Sequence, residues 1–259
     1  RRRQMIADQL ADESARLGGS LVTDDKLLDE VVGLVESPRV VAGDFDARFL
    51  ALPPEVIQTV LTYHQKMFAV SSPDGGLLPH FLGVSNNPSE QQPNTRAGYE
   101  RVAGARLADG AFFFDNDRAR SLSDWAGELS GITFLDGLGT MADKSERIVS
   151  LAERISASAG VDSAAAVRAS ALAKADLSTQ VVGEFANLQG TMGRIYARLD
   201  GEDEAVSEAI FEHYLPRGAG DDLPSTVPGA ICALADKLDT LAACFAIGKV
   251  PSGSADPFA

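Results

Sequence analysis

Three histidines and two cysteines in 259 residues leave few side chains able to grip a transition metal. His64, His80 and His213 stand far apart, and none has a second histidine three or four residues on, so there is no helical zinc pair. Each is expected to be structural or to lie at the surface. Cys232 and Cys244 fall in one apolar run and read as small buried hydrophobes, not as a disulfide. No apolar run approaches the roughly 20 residues that span a bilayer. No signal peptide is visible, since Arg1-Arg2-Arg3 is not followed by an apolar segment. These absences suit a cytoplasmic chain with no membrane partner. Gly137-Leu138-Gly139-Thr140 is short and lacks the Walker lysine, and no Gly-x-Ser-x-Gly elbow is present. Cations are scarce too. With 23 Lys and Arg against 37 Asp and Glu, the net charge of −14 argues against a general nucleic-acid-coating protein but leaves room for a local basic strip.

A hydrophobic content of 45% allows a substantial core. Apolar spacing predicts helices over 4–17 and from Asp24 to Val35, the second capped by Thr23 or Asp24. Val40-Val41 and Phe45 suggest a short strand, or two strands joined at Gly43-Asp44. Pro53-Pro54 opens a helix. Ser72-Pro-Asp-Gly-Gly76 between apolar runs predicts a hairpin over about 66–84. Asn86 to Asn94 reads as a loop and Arg96 to Phe114 as a helix. Phe112-Phe113-Phe114 cannot share one helical face, so that end is expected to be buried on more than one side. Trp125 falls on a further short helix.

From Gly137 onward the pattern is helical. Ile148, Leu151 and Ile155 form one stripe, and Ala164 to Phe185 reads as one long helix. Thr191 to Leu199 and Ala205 to Tyr214 are shorter. Glu204, Glu208 and Glu212 are expected to line a solvated face. In the last helix, from Pro228 to Ile247, Ile231, Leu234, Leu238, Leu241 and Phe245 lie on one side, opposite Asp236. The fold class is therefore α+β and mostly helical. A mixed α/β module over 1–135 precedes a helical domain over 136–259.

Ala171-Leu-Ala-Lys-Ala-Asp176 resembles the metal-binding turn of HD-domain phosphohydrolases. In that superfamily an earlier helix gives a histidine, a later helix an adjacent His-Asp pair, and a last helix a closing aspartate. Here the corresponding positions are Lys144, Ala175, Asp176 and Asp236. Alanine offers no ligand, and a protonated ammonium has no lone pair to give. The ammonium can instead pair with the carboxylates. We therefore expect no metal and no catalytic residue, but a degenerate site in which Lys144 partners Asp236. The bland alternative is that both aspartates are solvated helix residues. Arg96, Arg101 and Arg106 form the most basic stretch, open both to RNA contact and to pairing with neighbouring acids.

Further runs, taken in order, carry a wider resemblance. They include Leu28-Asp-Glu-Val-Val-Gly-Leu-Val-Glu36, His64-Gln-Lys-Met-Phe68, Leu78-Pro-His-Phe81 and Arg96-Ala-Gly-Tyr-Glu-Arg-Val102. They continue in Leu188-Gln-Gly190 with Met192-Gly193, His213-Tyr-Leu-Pro-Arg217, Ala235-Asp-Lys-Leu-Asp-Thr-Leu241 and Pro251-Ser-Gly-Ser-Ala-Asp-Pro-Phe258. The chain resembles the β subunit of bacterial glycyl-tRNA synthetase. It departs from that pattern at Tyr99, Gly104 and Gly110, and the two glycines count against an unbroken helix there. With no initiator Met and an end at Asp256-Pro-Phe-Ala259, it is expected to be an internal piece of the subunit. The resemblance implies a non-catalytic part of an aminoacyl-tRNA ligase. Its partners would be tRNA(Gly) and the α subunit, which would hold ATP and Mg2+. Two other functions compete with this: a divergent HD-type metal-dependent phosphohydrolase, and a module that only docks the α subunit.

Overall fold

The computed structural model describes residues 1–86 and 92–249. The motif at 251–258 and part of the expected loop at 86–94 lie outside those residues. The chain divides into two compact units, Arg1–Asp115 and Asn116–Ala259. The boundary expected near residue 135 falls inside the second unit. Local bonding gives the reason. Leu122 donates its amide to Asp200 Oδ2 at 2.6 Å, and Trp125 Nε1 donates to the Asp117 carbonyl at 3.0 Å. The Trp125 helix therefore belongs to the helical second unit.

In the first unit, α1 (Arg2–Arg16) and α2 (Asp25–Leu34) pack on a four-stranded antiparallel sheet. Its strands are β1 (Ser20–Leu21), β2 (Arg39–Asp44), β3 (Phe68–Ser71) and β4 (Leu77–Ser85), in the order β1-β3-β4-β2. Asp24 caps α2 by accepting from the Leu27 amide, as its position before an apolar run predicts. Strand alternation assigns the two sheet faces. Ile6, Leu10, Leu28 and Val31 from the helices meet Val40 and Leu82 on one face. On the other, Gly43 leaves room for the Phe81 ring, which a Cβ there would approach within 2.3 Å. Ser72 to Gly76 forms the hairpin turn, with Gly75 at φ +93. Val40 and Val41 lie in one strand, so no turn occurs at Gly43-Asp44. Helix α3 (Pro54–Thr59) runs into a wider π-helical turn, Val60–His64.

Helix α4 spans Gln92–Asp117 without a break at Gly104 or Gly110. Ala103, Leu107 and Phe114 are buried at helical spacing, while Phe112 is 62% exposed. The expectation of burial on several sides is thus corrected, because only a single stripe of this helix is covered.

The second unit is helical: α5 (Leu122–Ala126), α6 (Met141–Ala159), α7 (Ala164–Leu172), α8 (Gln180–Glu184), α9 (Thr191–Leu199), α10 (Glu204–Glu212) and α11 (Val227–Ala246). The single helix expected over 164–185 is in fact broken. It stops at Leu172, makes a tight turn over Ala175–Ser178 and restarts at Gln180. Polar groups compete with the helical ladder here. Thr179 Oγ1 donates to the Asp176 carbonyl at 2.7 Å. The new helix start points its Gln180 and Val181 amides at the buried Asp117 carboxylate, at 2.8 and 3.0 Å. Along α6 the covered stripe is Met141, Lys144, Ser145, Ile148, Ala152 and Ser156, so of the expected apolar stripe only Ile148 is fully buried.

Asp117 also accepts from Tyr196 Oη at 2.8 Å, so one carboxylate joins α4, α8 and α9. Asp117→Ala would remove the acceptor of two amides and a hydroxyl, the Val181 amide and Tyr196 hydroxyl bonds being buried. It should cost about 3–5 kcal/mol of unfolding free energy, measured by urea denaturation.

Candidate functional site

The pairing expected of Lys144 forms, within a larger cluster than the sequence predicts. Lys144 is carried on α6, whose start is fixed by a reciprocal cap between Thr140 and Asp143. Its ammonium lies 2.9 Å from Asp236 Oδ1 and 3.2 Å from Asp239 Oδ2. It also donates to Thr240 Oγ1 at 2.7 Å and faces the Phe134 ring, 4.6 Å from the centroid. Lys174, which sequence reasoning passed over, lies 3.0 Å from the other oxygen, Asp236 Oδ2. Its outer face meets the Tyr214 ring at 4.1 Å. Arg147 closes the group with a fork on Asp239, Nε to Oδ1 at 2.6 Å. Both lysines and both aspartates are buried.

Spacing on α11 explains why one helix serves both cations. Asp236 and Asp239 are three residues apart and share a face. Lys174 had its own signal in the sequence: a lysine in an alanine-rich apolar segment, two residues before Asp176. A buried lysine needs a counter-ion. Burial opposes the Asp236 charge, but Lys174 and Lys144 outweigh it and hold this carboxyl well below its usual range. Burial also lowers the Lys174 ammonium, with Asp236 opposing that.

Asp176 is wholly buried but does not join the lysines in an ion pair of this kind. Its Oδ2 accepts the Gly190 and Gly193 amides at 2.5 and 3.0 Å. Those glycines lead into α9, and neither tolerates a side chain. A Cβ at Gly190 would meet the Tyr214 ring at 2.6 Å, and one at Gly193 would meet Ile210 at 2.7 Å. Oδ1 is left without a hydrogen bond. Burial pushes the Asp176 carboxyl up to about 6, against the pull of the two amides and the Lys174 charge. Ala175 is buried beside it and contributes no polar side-chain atom.

His213 is buried too. The Ile210 carbonyl can only accept, so Nδ1 carries the proton it donates there. Nε2 has no partner, and burial, with the nearby Lys174 charge, keeps the ring neutral. Cys232 donates to the Ala166 carbonyl at 3.2 Å and is a free thiol, pushed up to about 11 chiefly by burial.

One expectation about an acid is corrected nearby. Glu212 is not on a solvated face but is buried. It accepts from the Ser225 and Thr226 amides and hydroxyls at the start of α11. Burial raises its carboxyl, yet those bonds prevail and hold it below the usual range. On α11 the side that carries Asp236 is the one turned inward, as its small neighbours suggest, and most of the apolar stripe faces out. Leu234, Leu238, Leu241 and Phe245 are exposed, while Asp236, Asp239, Cys232 and Ala243 face inward.

A transition metal does not fit these donors. Two ammonium groups cover both oxygens of Asp236, and among the described residues no group of three or more His, Cys, Asp or Glu could hold a metal ion. In the first unit, Arg96 is bound to Asp44 and Glu100, and His80 Nδ1 also meets Asp44, at 2.7 Å. Arg106 pairs with Asp109 at 3.4 Å, and Arg101 is exposed.

Asp236→Ala would strand the buried Lys174 ammonium and leave Lys144 with Asp239 and Thr240, and should cost about 3–5 kcal/mol of stability by chemical denaturation. Asp176 should give a pH signature of the opposite sense. Between about pH 4 and pH 6 the folded state keeps a proton that the unfolded chain has released, so this group's contribution to stability falls as pH rises through that window. Denaturation of the wild type and Asp176→Asn at pH 4.5 and 6.5 should show a slope that the variant loses, by up to about 2 kcal/mol.

Comparison with known proteins agrees with the order of motifs. The family profile described as Glycyl-tRNA synthetase beta subunit matches residues 1–259. The chain is 48% identical to the Glycine--tRNA ligase beta subunit of Nitratidesulfovibrio vulgaris, covering 100% of this chain and 37% of that protein. It is 47% identical to that of Myxococcus xanthus, with the same coverage, and 44% identical to that of Bacillus subtilis, over 99% of this chain and 38% of the relative. It thus spans little more than a third of these relatives' length. On a profile match along its whole length and close to half its residues shared, the chain belongs to the glycyl-tRNA synthetase beta subunit family.

Proposed function

We propose that this part of the β subunit helps to bind and position tRNA(Gly) for charging by the α subunit, and does no chemistry of its own. The observation that carries the reading is the family match along the entire chain. Its relatives are named as subunits of a ligase that joins glycine to tRNA. On this reading ATP and Mg2+ belong to the α subunit, and the complex works in the cytoplasm. Among the described residues no helix is long and apolar enough to cross a membrane, which is compatible with that setting.

Lys144, Ala175, Asp176 and Asp236 are then the remnant of an HD-type site whose metal role has been replaced by internal ion pairing. The geometry supports this, since Lys144 reaches Asp236 and Asp176 serves backbone amides. The competing phosphohydrolase would need a metal-activated water, and the donor set counts against one. Elemental analysis of the full-length β subunit, dialysed without chelator, tests the point, and a stoichiometric transition metal would revive the hydrolase.

Arg96, Arg101 and Arg106 are the proposed contacts to the RNA backbone. Arg101 is the best placed, because Arg96 and Arg106 are engaged with neighbouring acids. In the intact complex, Arg101→Glu should weaken tRNA(Gly) binding. It should also lower the slope of log affinity against log salt by about 1, the mark of one lost phosphate contact. Unchanged affinity and slope would remove this helix from the interface.

A further inference from the structure

Helix α11 has a second face that the core does not use. Val227, Leu234, Leu238, Leu241 and Phe245 are 57, 52, 48, 56 and 59% exposed. From Leu234 they recur at steps of four, three and four residues. This is the heptad spacing of a seam that receives one partner helix. Ile231 continues the register inward and is buried, so the seam begins in the unit's own core and opens toward the end of the helix. Ala242 and Ala246 lie exposed beside it and would let a neighbour approach closely.

Half-exposed side chains of this size present roughly 80–100 Å2 each, so the four from Leu234 to Phe245 offer on the order of 320–400 Å2. Scattered apolar residues need no explanation, but a contiguous stripe of this extent marks an interaction surface. The chemistry narrows the occupant. An RNA backbone is held by cations, and the five seam residues carry no charge. The flanking Lys237 is turned to the carbonyls of His213 and Leu215, at 3.3 and 2.8 Å. A second copy of the chain would need about 800 Å2 from each partner for a stable interface, more than this seam supplies. A helix of the same polypeptide has no translational freedom to lose and can dock on a smaller area. The relatives carry nearly two thirds of their length outside the span matched here.

We infer that an amphipathic helix from the part of the β subunit outside residues 1–259 packs on the α11 seam through apolar residues at heptad spacing. The inference rests on family membership and is independent of whether this region touches tRNA.

Single-cysteine variants of the full-length β subunit test it, with Cys244→Ser and other reactive cysteines replaced. Leu238→Cys and Phe245→Cys report on the seam, and Leu199→Cys, at a site 52% exposed on α9, is the control. Each maleimide rate is normalised to that of the denatured chain. We expect the two seam positions to react at least 10-fold more slowly than the control, without the α subunit and at every protein concentration. Equal rates would overturn the inference. Slowing that appears only with the α subunit would assign the seam to that partner, and slowing lost on dilution would assign it to a second copy; either result overturns the inference. Hydroxyl-radical footprinting of the unsubstituted subunit reads Leu238 and Phe245 against Leu199 without any variant, and should show the same contrast.

Discussion

Two lysines buried against one aspartate set the terms for the helical unit. Lys144 comes from α6, Lys174 from the turn after α7, and Asp236 from α11. Each charge removed from water costs several kcal/mol, and mutual attraction offsets this only when the geometry is close and remaining donors are met. Here they are largely met, by Asp239, Thr240 and two aromatic faces, and Arg147 donates to Asp239 in turn. Formal charges balance as well: Lys144, Lys174 and Arg147 stand against Asp176, Asp236 and Asp239. An arrangement of this kind favours one helix packing over its alternatives, because any shift that separates the pairs leaves a charge buried alone. The ammonium groups tie these three segments together.

Much of this was legible in the sequence, and the limits are instructive. Cap residues, the Pro-Asp-Gly turn and apolar alternation located most elements, because those signals act within a few residues. The pairing of Lys144 with Asp236 followed from a simple need, that an enclosed carboxylate requires a partner. Lys174 escaped because charge on an alanine-rich helix reads as solvated until the helix is known to break after Leu172. The break itself depends on Asp117, about sixty residues earlier, whose carboxylate receives the new helix start. No local window contains both. Glu212 was missed for a related reason, since its partners Ser225 and Thr226 lie beyond an intervening loop.

The orientation of α11 teaches something different. Its leucines form the stronger periodic signal, and hydrophobicity alone assigns them to the core. The opposite face won because it holds small residues and two carboxylates that the lysines require. Where polar pairing and apolar periodicity compete for the same interior, the pairing can prevail if leaving it unmet would be the greater cost. The displaced apolar face then remains available for another surface.

Asp176 binds the turn before α9 entirely through main-chain amides, those of Gly190 and Gly193. Recognition of this sort measures chain length and ignores side-chain identity. Thr191 and Met192, between the two amides, can exchange for other residues as far as this carboxylate is concerned. Adding or deleting a single residue between them would move one amide off its acceptor and turn the helix start by about 100°. Apart from the two glycines, whose lack of a side chain is needed, the Asp176 bonds guard the register of this short stretch and not its composition.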